Sequence, residues 1–147
     1  VGTLLAAQLY EKVKAMTPDG EKALASVQKF QVEEWNKTLL SFLGRSGETM
    51  ILQEEKEGKY DLKKHANRLP IIRNNWDKIC AIIEEEIPSC QTLEALLETA
   101  HLPKKAEEMG IDPKTVPTTF FATKDIRDKY VLSRLCWDLG VLDEMQF

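Results

Sequence analysis

The chain has 147 residues, the usual size of one domain, and can bury a substantial core without disulfide or metal support. Its hydrophobic fraction of 43% and charged fraction of 30% are ordinary for a soluble globular protein, and no apolar run reaches the length of a membrane span. The net charge of −4 comes from interleaved acidic and basic residues, which disfavours a nucleic-acid partner. We therefore expect one soluble domain over 1–147, with neither membrane nor nucleic acid as a partner.

The cysteines and the first residues bear on location and on the extent of the chain. Cys80, Cys90 and Cys136 are odd in number and widely spaced, which predicts neither a disulfide framework nor a CxxC metal site and fits a reducing cytoplasm. The sequence starts at Val1 inside an apolar helical pattern, with no capping residue and no charged leader. From this start we expect a longer protein that begins upstream of Val1.

Apolar residues recur at helical spacing in three stripes along the first third of the chain: Leu5, Leu9, Val13 and Met16; Ala23, Leu24 and Val27; Trp35, Leu39 and Phe42. Thr17-Pro18 predicts the N-cap and the first-turn proline of the second helix. Gly44 closes the third stripe. The proline-free run between the second and third stripes is compatible with one long bent helix.

The middle of the chain contains the most regular pattern. Residues 48–57 are rich in helix formers, Gly58 predicts a stop, and Asp61 predicts the N-cap of the following helix. A helix over 70–87 is then predicted by apolar residues at intervals of three and four: Ile72, Trp76, Ile79, Ile83 and Ile87.

Short helices are predicted in the last third. Ser89 is placed to cap a run that Leu102-Pro103 breaks, and 104–109 predicts a charged turn that Gly110 ends. Asp112-Pro113 is again an N-cap with a first-turn proline, and Pro117 falls within the first or second turn that follows. The last helix is predicted over 125–139 and ends at Gly140, with one apolar side: Ile126, Leu132, Leu135 and Leu139.

No segment alternates apolar and polar residues for long enough to predict a strand. The sequence therefore predicts an all-α fold of seven to nine helices joined by short loops, arranged as a multi-helix bundle or an orthogonal array.

The two histidines are weak candidates for chemistry. Neither His65 nor His101 has a second histidine or a carboxylate spaced as in HExxH, so neither predicts a metal ligand. We interpret His65 as a partly exposed residue of the helix that Asp61 opens, and His101 as a residue at a helix end, where the helix dipole favours its protonated form.

The charged and aromatic residues have plain structural interpretations. Contiguous glutamates at 84–86 point to different sides of a helix and predict a solvated face rather than a cation site. On a helix over 125–139, Lys124 would neighbour Asp128, and Arg127 would neighbour Tyr130. For Arg127 we keep ligand binding open beside a structural ion pair or a contact with another domain. All three tryptophans fall in helical stripes, which predicts core packing: Trp35, Trp76 and Trp137.

The recurrent catalytic motifs are missing from the sequence. It contains no GxGxxG, no GxxxxGK[ST] and no GxSxG, and the cysteines lack a histidine spaced for activation. The residues alone predict no catalytic, cofactor-binding or metal site.

Several stretches nevertheless resemble one family. Val1-Gly2-Thr3-Leu4-Leu5 resembles the segment after a histidine-glycine motif in sn-glycerol-1-phosphate dehydrogenases, relatives of glycerol dehydrogenases and iron-containing alcohol dehydrogenases. The stretches Arg68-Leu69-Pro70, Asn75-Trp76-Asp77 with Ile79, and Ile87-Pro88-Ser89 resemble its middle C-terminal helices. The most specific match is Asp125-Ile126-Arg127-Asp128-Lys129-Tyr130 with Asp138-Leu139-Gly140. We call these the family-like stretches, and they span the chain from end to end.

The resemblance implies the helical C-terminal domain of a dehydroquinate synthase-like, glycerol dehydrogenase-like two-domain enzyme. The partner would be its own N-terminal domain, which binds NAD(H) or NADP(H), and the reaction would be reversible hydride transfer between dihydroxyacetone phosphate and sn-glycerol 1-phosphate. A zinc or nickel ion would polarise this small phosphorylated substrate. The family's aspartate and two histidine ligands match no position here, so the resemblance implies no metal or cofactor bound by this chain, with Thr3 closest to the cleft.

Two other interpretations stay open. The chain could be a free-standing helical module that binds a partner helix or peptide, or the same domain of another polyol or alcohol dehydrogenase. If an upstream domain is missing, apolar surface around Leu4, Leu5 and Leu9 should be exposed, and we expect self-association.

Overall fold

The computed structural model describes residues 1–126 and 128–147. Within these residues the chain forms nine α-helices and short 3₁₀ turns, without a strand, which confirms the predicted all-α class. The helices are α1 Gly2–Lys14, α2 Gly20–Lys29, α3 Val32–Leu43, α4 Arg45–Glu57, α5 Leu62–Asn74, α6 Trp76–Glu86, α7 Cys90–Thr99, α8 Val116–Ala122 and α9 Leu132–Asp138. The 3₁₀ turns are Glu107–Met109, Pro113–Thr115, Thr123–Asp125 and Leu142–Glu144.

Several helix ends fall where the sequence predicts them. The Asp61 carboxylate accepts hydrogen bonds from the backbone N–H of Lys63 and of Lys64 at 2.8 and 3.0 Å, and the Ser89 hydroxyl accepts from that of Thr92 at 3.1 Å. Gly58 ends α4 with φ of 58°, in the left-handed region that favours glycine. These caps confirm the predicted end of α4 and the predicted starts of α5 and α7.

The helix α2 begins later than predicted, and it does not continue into α3. Its N-cap is Asp19 rather than Thr17, because the Asp19 carboxylate accepts from the N–H of Glu21 and of Lys22 at 3.0 and 3.1 Å. Phe30 is extended, so the interpretation as one long bent helix is wrong. Its ring stacks on Tyr60 at 5.0 Å between centroids, a tertiary contact made at the break.

The predicted helix over 70–87 is also wrong, because it divides at Asn75 into α5 and α6. The Asn75 side-chain amide donates to the Ile71 carbonyl at 2.8 Å and so competes with the helical backbone. Pro70 lies inside α5 rather than at its start. After the break, the Trp76 indole N–H donates to the Met16 carbonyl at 3.1 Å and ties α6 to the residues after α1.

The last predicted helix is much shorter than expected. Instead of 125–139, α9 covers only Leu132–Asp138. Lys124 and Asp125 form part of a 3₁₀ turn that faces inward, and both side chains are buried. Lys124 therefore bonds to Asp125 rather than neighbouring Asp128 on a helix, and Ile126 is 50% exposed instead of facing the core. Arg127, which was predicted to pair with Tyr130, lies outside the described residues.

The core surrounds α9, every residue of which is buried. Trp137 is 3% exposed and contacts the rings of Phe30 and Tyr60, while Trp35 and Trp76 are half-buried and pack against core clusters. These contacts confirm the predicted packing of the three tryptophans. The main apolar cluster includes Leu9, Val13, Val27, Ile72, Leu132, Leu135, Cys136, Trp137, Leu139, Val141, Leu142 and Met145.

Gly140 fixes how closely α9 and α2 approach, and its replacement is a stability test. Its φ is +69°, and a Cβ there would lie 2.9 Å from the Ala23 Cα. We expect Gly140→Ala to lower the free energy of unfolding by about 3 kcal/mol, because strain and a backbone clash add. Gly110→Ala is the matched control, with φ of +72° and nothing within 4 Å, and should cost only about 1 kcal/mol. Equal midpoints of urea denaturation for the two variants would contradict the close approach.

Candidate functional site

An apolar cavity of about 520 Å³ opens beside the first turns of α1. Among the described residues that line it there is no aspartate, glutamate, lysine, arginine or histidine. Its walls come from α1, the 106–111 segment, α8, the start of α9 and the last residue: Val1, Gly2, Leu5, Ala6, Leu9, Tyr10, Ala106, Met109, Ile111, Val116, Thr119, Phe120, Thr123, Val131, Leu132, Ser133 and Phe147. The cavity suits apolar groups rather than an ion.

The sequence-predicted cleft residue lies close to this cavity. Thr3 is exposed on the first turn of α1, and its neighbours Val1, Gly2 and Leu5 line the cavity. The expected exposure of Leu4 and Leu9 is wrong, because they are 4% and 2% exposed. The physical reason is that α1 packs against α6, α7 and α9, which cover the buried side of its apolar stripe.

The two histidines lie in different places, His65 in the core and His101 at a helix end. His65 is 1% exposed, so its interpretation as a partly exposed residue is wrong. Its Nε2 lies 2.8 Å from the Asp138 carbonyl oxygen, and its ring packs edge-on against that of Trp137, with 5.4 Å between the ring centroids. That nitrogen must carry the proton, because a carbonyl can only accept. His101 is exposed in the turn directly after α7, as expected from its position at a helix end.

The cysteines and the glutamate run show no activated group. All three cysteines are free thiols, and burial raises the pKa of Cys136 to about 12, away from the thiolate form that nucleophilic attack requires. The glutamates at 84–86 are exposed, and Glu84 lies 3.5 Å from the Lys14 ammonium. Within the described part of the chain, no group of three or more histidine, cysteine, aspartate or glutamate residues is arranged to hold a metal ion.

The strongest polar constellation surrounds Asp138, whose side chain is fully buried. Arg68 binds its carboxylate with two hydrogen bonds, from Nε at 2.6 Å and from Nη2 at 2.7 Å. The Tyr130 hydroxyl donates to the same carboxylate at 2.6 Å, and the Arg134 Nε lies 3.7 Å away. We call Arg68, Tyr130, Arg134 and Asp138 the Asp138 cluster; it ties α5 and the segment before α9 to the end of α9.

The electrostatics of the Asp138 cluster favour a fixed ion pair. The hydrogen bonds to Asp138 raise the pKa of Arg68, which therefore keeps its charge. Burial, followed by the nearby Asp138 charge, raises the pKa of Tyr130 and keeps its hydroxyl protonated as a donor. Burial lowers the pKa of Arg134. Since all of these groups serve one carboxylate, the cluster positions helices rather than transferring a proton.

A second buried constellation surrounds Asp125. Its carboxylate accepts hydrogen bonds from the Trp35 indole, the Tyr60 hydroxyl and the Lys124 ammonium, each at 2.8 Å to Oδ2. The Lys124 Nζ also lies 3.9 Å from the centre of the Trp35 ring and 5.5 Å from those of Phe30 and Tyr60. We call Trp35, Tyr60, Lys124 and Asp125 the Asp125 cluster; it fastens α3 and the segment after α4 to the Thr123–Asp125 turn.

Burial is the largest cause of the pKa shifts of Lys124 and Tyr60 in this cluster. It lowers the pKa of Lys124 to about 8, against the opposing pull of the Asp125 carboxylate. Burial also raises the pKa of Tyr60, with further contributions from Asp125. The side chains of Lys124 and Asp125 have no exposed surface, so a substrate in solvent cannot reach either group.

Sequence reasoning missed both clusters. One available signal was the pair of charged residues Arg134 and Asp138 inside an apolar helical run, at the i,i+4 spacing at which side chains meet on a helix. Other partners lie far away in sequence: 70 positions separate Arg68 from Asp138, and 90 separate Trp35 from Asp125. Helical spacing could not reveal those contacts.

Comparisons with known proteins found no relative of this chain. No protein-family model, no curated protein and no solved structure matches this chain. None of the helices in the described part of the chain has the length and apolar character needed to cross a bilayer.

Proposed function

We propose that this chain is the helical C-terminal domain of a metal- and NAD(P)-dependent sn-glycerol-1-phosphate dehydrogenase. The observation that carries the proposal is the bidentate pair between Arg68 and Asp138. These residues belong to two different family-like stretches, and Tyr130 of the last stretch donates to the same carboxylate. The resemblance therefore falls on residues that build one buried framework, which is the role a supporting domain requires.

The proposed contribution of the chain is structural support beside a cleft. The Asp138 cluster holds α5 against α9, and α9 forms the centre of the core. The cavity beside the first turns of α1 would face the remainder of the enzyme, with Thr3 nearest the substrate cleft. In this role Thr3 and the cavity walls exclude water and shape the cleft.

The residues present do not fit a catalytic metal. A catalytic zinc site takes about three protein ligands with an open position, whereas the buried carboxylates of Asp125 and Asp138 are each occupied by three donors or cations. His65 is occupied by the Asp138 carbonyl. No step of hydride transfer is assigned to this chain, and in our proposal the zinc or nickel ion and NAD(P)H are held by the rest of the enzyme.

A free-standing interaction module is the second candidate. The observation that favours it is the apolar cavity. Two of its lining residues are exposed, Met109 by 54% and Phe147 by 44%. Such a surface also suits self-association of the polypeptide. The same helical domain in another polyol or alcohol dehydrogenase is compatible with the same framework.

Ligand binding separates these candidates. We expect polypeptide 1–147 to show no stoichiometric binding of zinc, nickel or NADH in calorimetric titrations, because no described constellation supplies the ligands. The product of the complete open reading frame should bind one divalent metal and NADH or NADPH. Tight, stoichiometric binding of metal or NADH by 1–147 alone would contradict the proposal.

A further inference from the structure

Glu54 is a buried carboxyl group that the framework described above does not use. It lies on α4, is 6% exposed, and its Oε2 meets no hydrogen-bond partner among the described residues. Helix α4 packs against the Thr123–Asp125 turn, which carries the fully buried Asp125 carboxylate. The buried Glu54 carboxyl therefore lies on a helix that packs against a second buried acidic group.

The charges around Glu54 do not favour its ionised form. The charges of the turn that act on Glu54 are those of Asp125 and Lys124, and the Lys124 ammonium already bonds to Asp125 at 2.8 Å. In the segment after α4, the Lys59 charge acts on Glu54, and Glu54 in turn acts on Tyr60; Lys59 also lies 3.7 Å from the Glu57 carboxylate. On its own helix Glu55 adds a like charge. Arg134 of α9 is placed against Asp138 and over the Trp137 ring.

We propose that Glu54 is a proton-dependent contact between α4 and the Thr123–Asp125 turn: its neutral carboxyl keeps α4 packed on the turn, and its ionisation loosens α4. Burying an uncharged carboxyl costs much less than burying an unpaired carboxylate in the same place. When α4 moves off the turn, water solvates the carboxylate and the repulsion from Asp125 falls. The proposal concerns regulation of the fold and does not depend on the dehydrogenase assignment.

The direction of the pH effect follows from the folded state. Burial, then the charge of Asp125, raises the pKa of Glu54 from an ordinary 4.5 to about 7. A raised pKa in the packed state means that its stabilisation is complete below the ordinary value and is lost as pH rises through about 7. The pKa of Lys124, about 8, lies above this pH range, so its ammonium stays charged through most of it.

Amide hydrogen exchange of α4, corrected for the intrinsic pH dependence, tests the proposal on the whole chain. Between pH 6 and pH 7.5 the opening equilibrium of α4 should rise by up to about tenfold. In Glu54→Gln, which is neutral and nearly isosteric, this rise should disappear. Glu55→Gln is the matched control, because Glu55 is exposed on the next position of the helix, and it should behave as the parent does.

Two results would overturn the proposal. One is an α4 opening equilibrium that stays constant over this window in the parent, or that rises equally in Glu54→Gln. The other comes from the parent alone: carbon NMR should show the Glu54 carboxyl titrating near neutrality, and a titration at the value of a solvated glutamate would exclude the contact. The parent titration decides the matter even if Glu54→Gln fails to fold.

Discussion

Asp138→Asn is expected to lower the free energy of unfolding by about 3–5 kcal/mol, the usual cost of removing one partner from a buried ion pair. The asparagine keeps the size of the side chain but removes the charge that balances Arg68 and Arg134. It also replaces one acceptor oxygen by an amide donor. Chemical denaturation followed by tryptophan fluorescence measures the loss, and Trp137 reports directly because it precedes the altered residue.

Asp143→Asn is the matched control for this substitution. Asp143 lies five positions further on, in the 3₁₀ turn Leu142–Glu144, and is itself exposed. Its replacement should change the free energy of unfolding by no more than about 0.5 kcal/mol. If Asp138→Asn behaved like Asp143→Asn, the Asp138 cluster would not be holding α5 and α9 together.

Asp125→Asn is expected to cost a similar 3–5 kcal/mol or so, because it leaves the buried Lys124 ammonium without its counter-charge. The aromatic rings of Trp35, Phe30 and Tyr60 can offset only a part of that loss. The free energy of unfolding is again obtained from denaturant curves.

A double-mutant cycle tests whether charge is the cause. In Asp125→Asn with Lys124→Met no ammonium remains to be buried, so the double variant should be more stable than Asp125→Asn alone. Strict additivity of the two single effects would contradict a direct ion pair between Lys124 and Asp125.

The sequence was sufficient for the fold class and for the local ends of helices. The helix caps act through backbone groups within four residues of themselves, so their roles follow from the neighbouring residues in the sequence; they are Asp61, Ser89 and Gly58. The all-α class follows in the same way, from periodicity that each stretch carries alone.

Tertiary contacts decided what the sequence could not predict. The break at Phe30 accompanies the stacking of its ring on Tyr60, and the break at Asn75 is followed by the hydrogen bond from the Trp76 indole to the Met16 carbonyl. The apolar stripes indicate neither contact. The turn at Asp125 forms where Lys124 and Asp125 reach donors and rings from α3 and from Tyr60. The predicted interior of the last helix was wrong for this reason: burying an ion pair among distant aromatic residues outweighed local helix propensity.

The most direct test of the account is turnover by the protein encoded by the complete open reading frame that contains Val1–Phe147. With a divalent zinc or nickel ion present, it should oxidise NADH or NADPH when dihydroxyacetone phosphate is added, while polypeptide 1–147 remains inactive in the same assay. Dihydroxyacetone without the phosphate is the control that separates this activity from that of a related polyol dehydrogenase. An open reading frame without a nucleotide-binding domain, or a complete protein that turns over neither substrate, would contradict the proposed function.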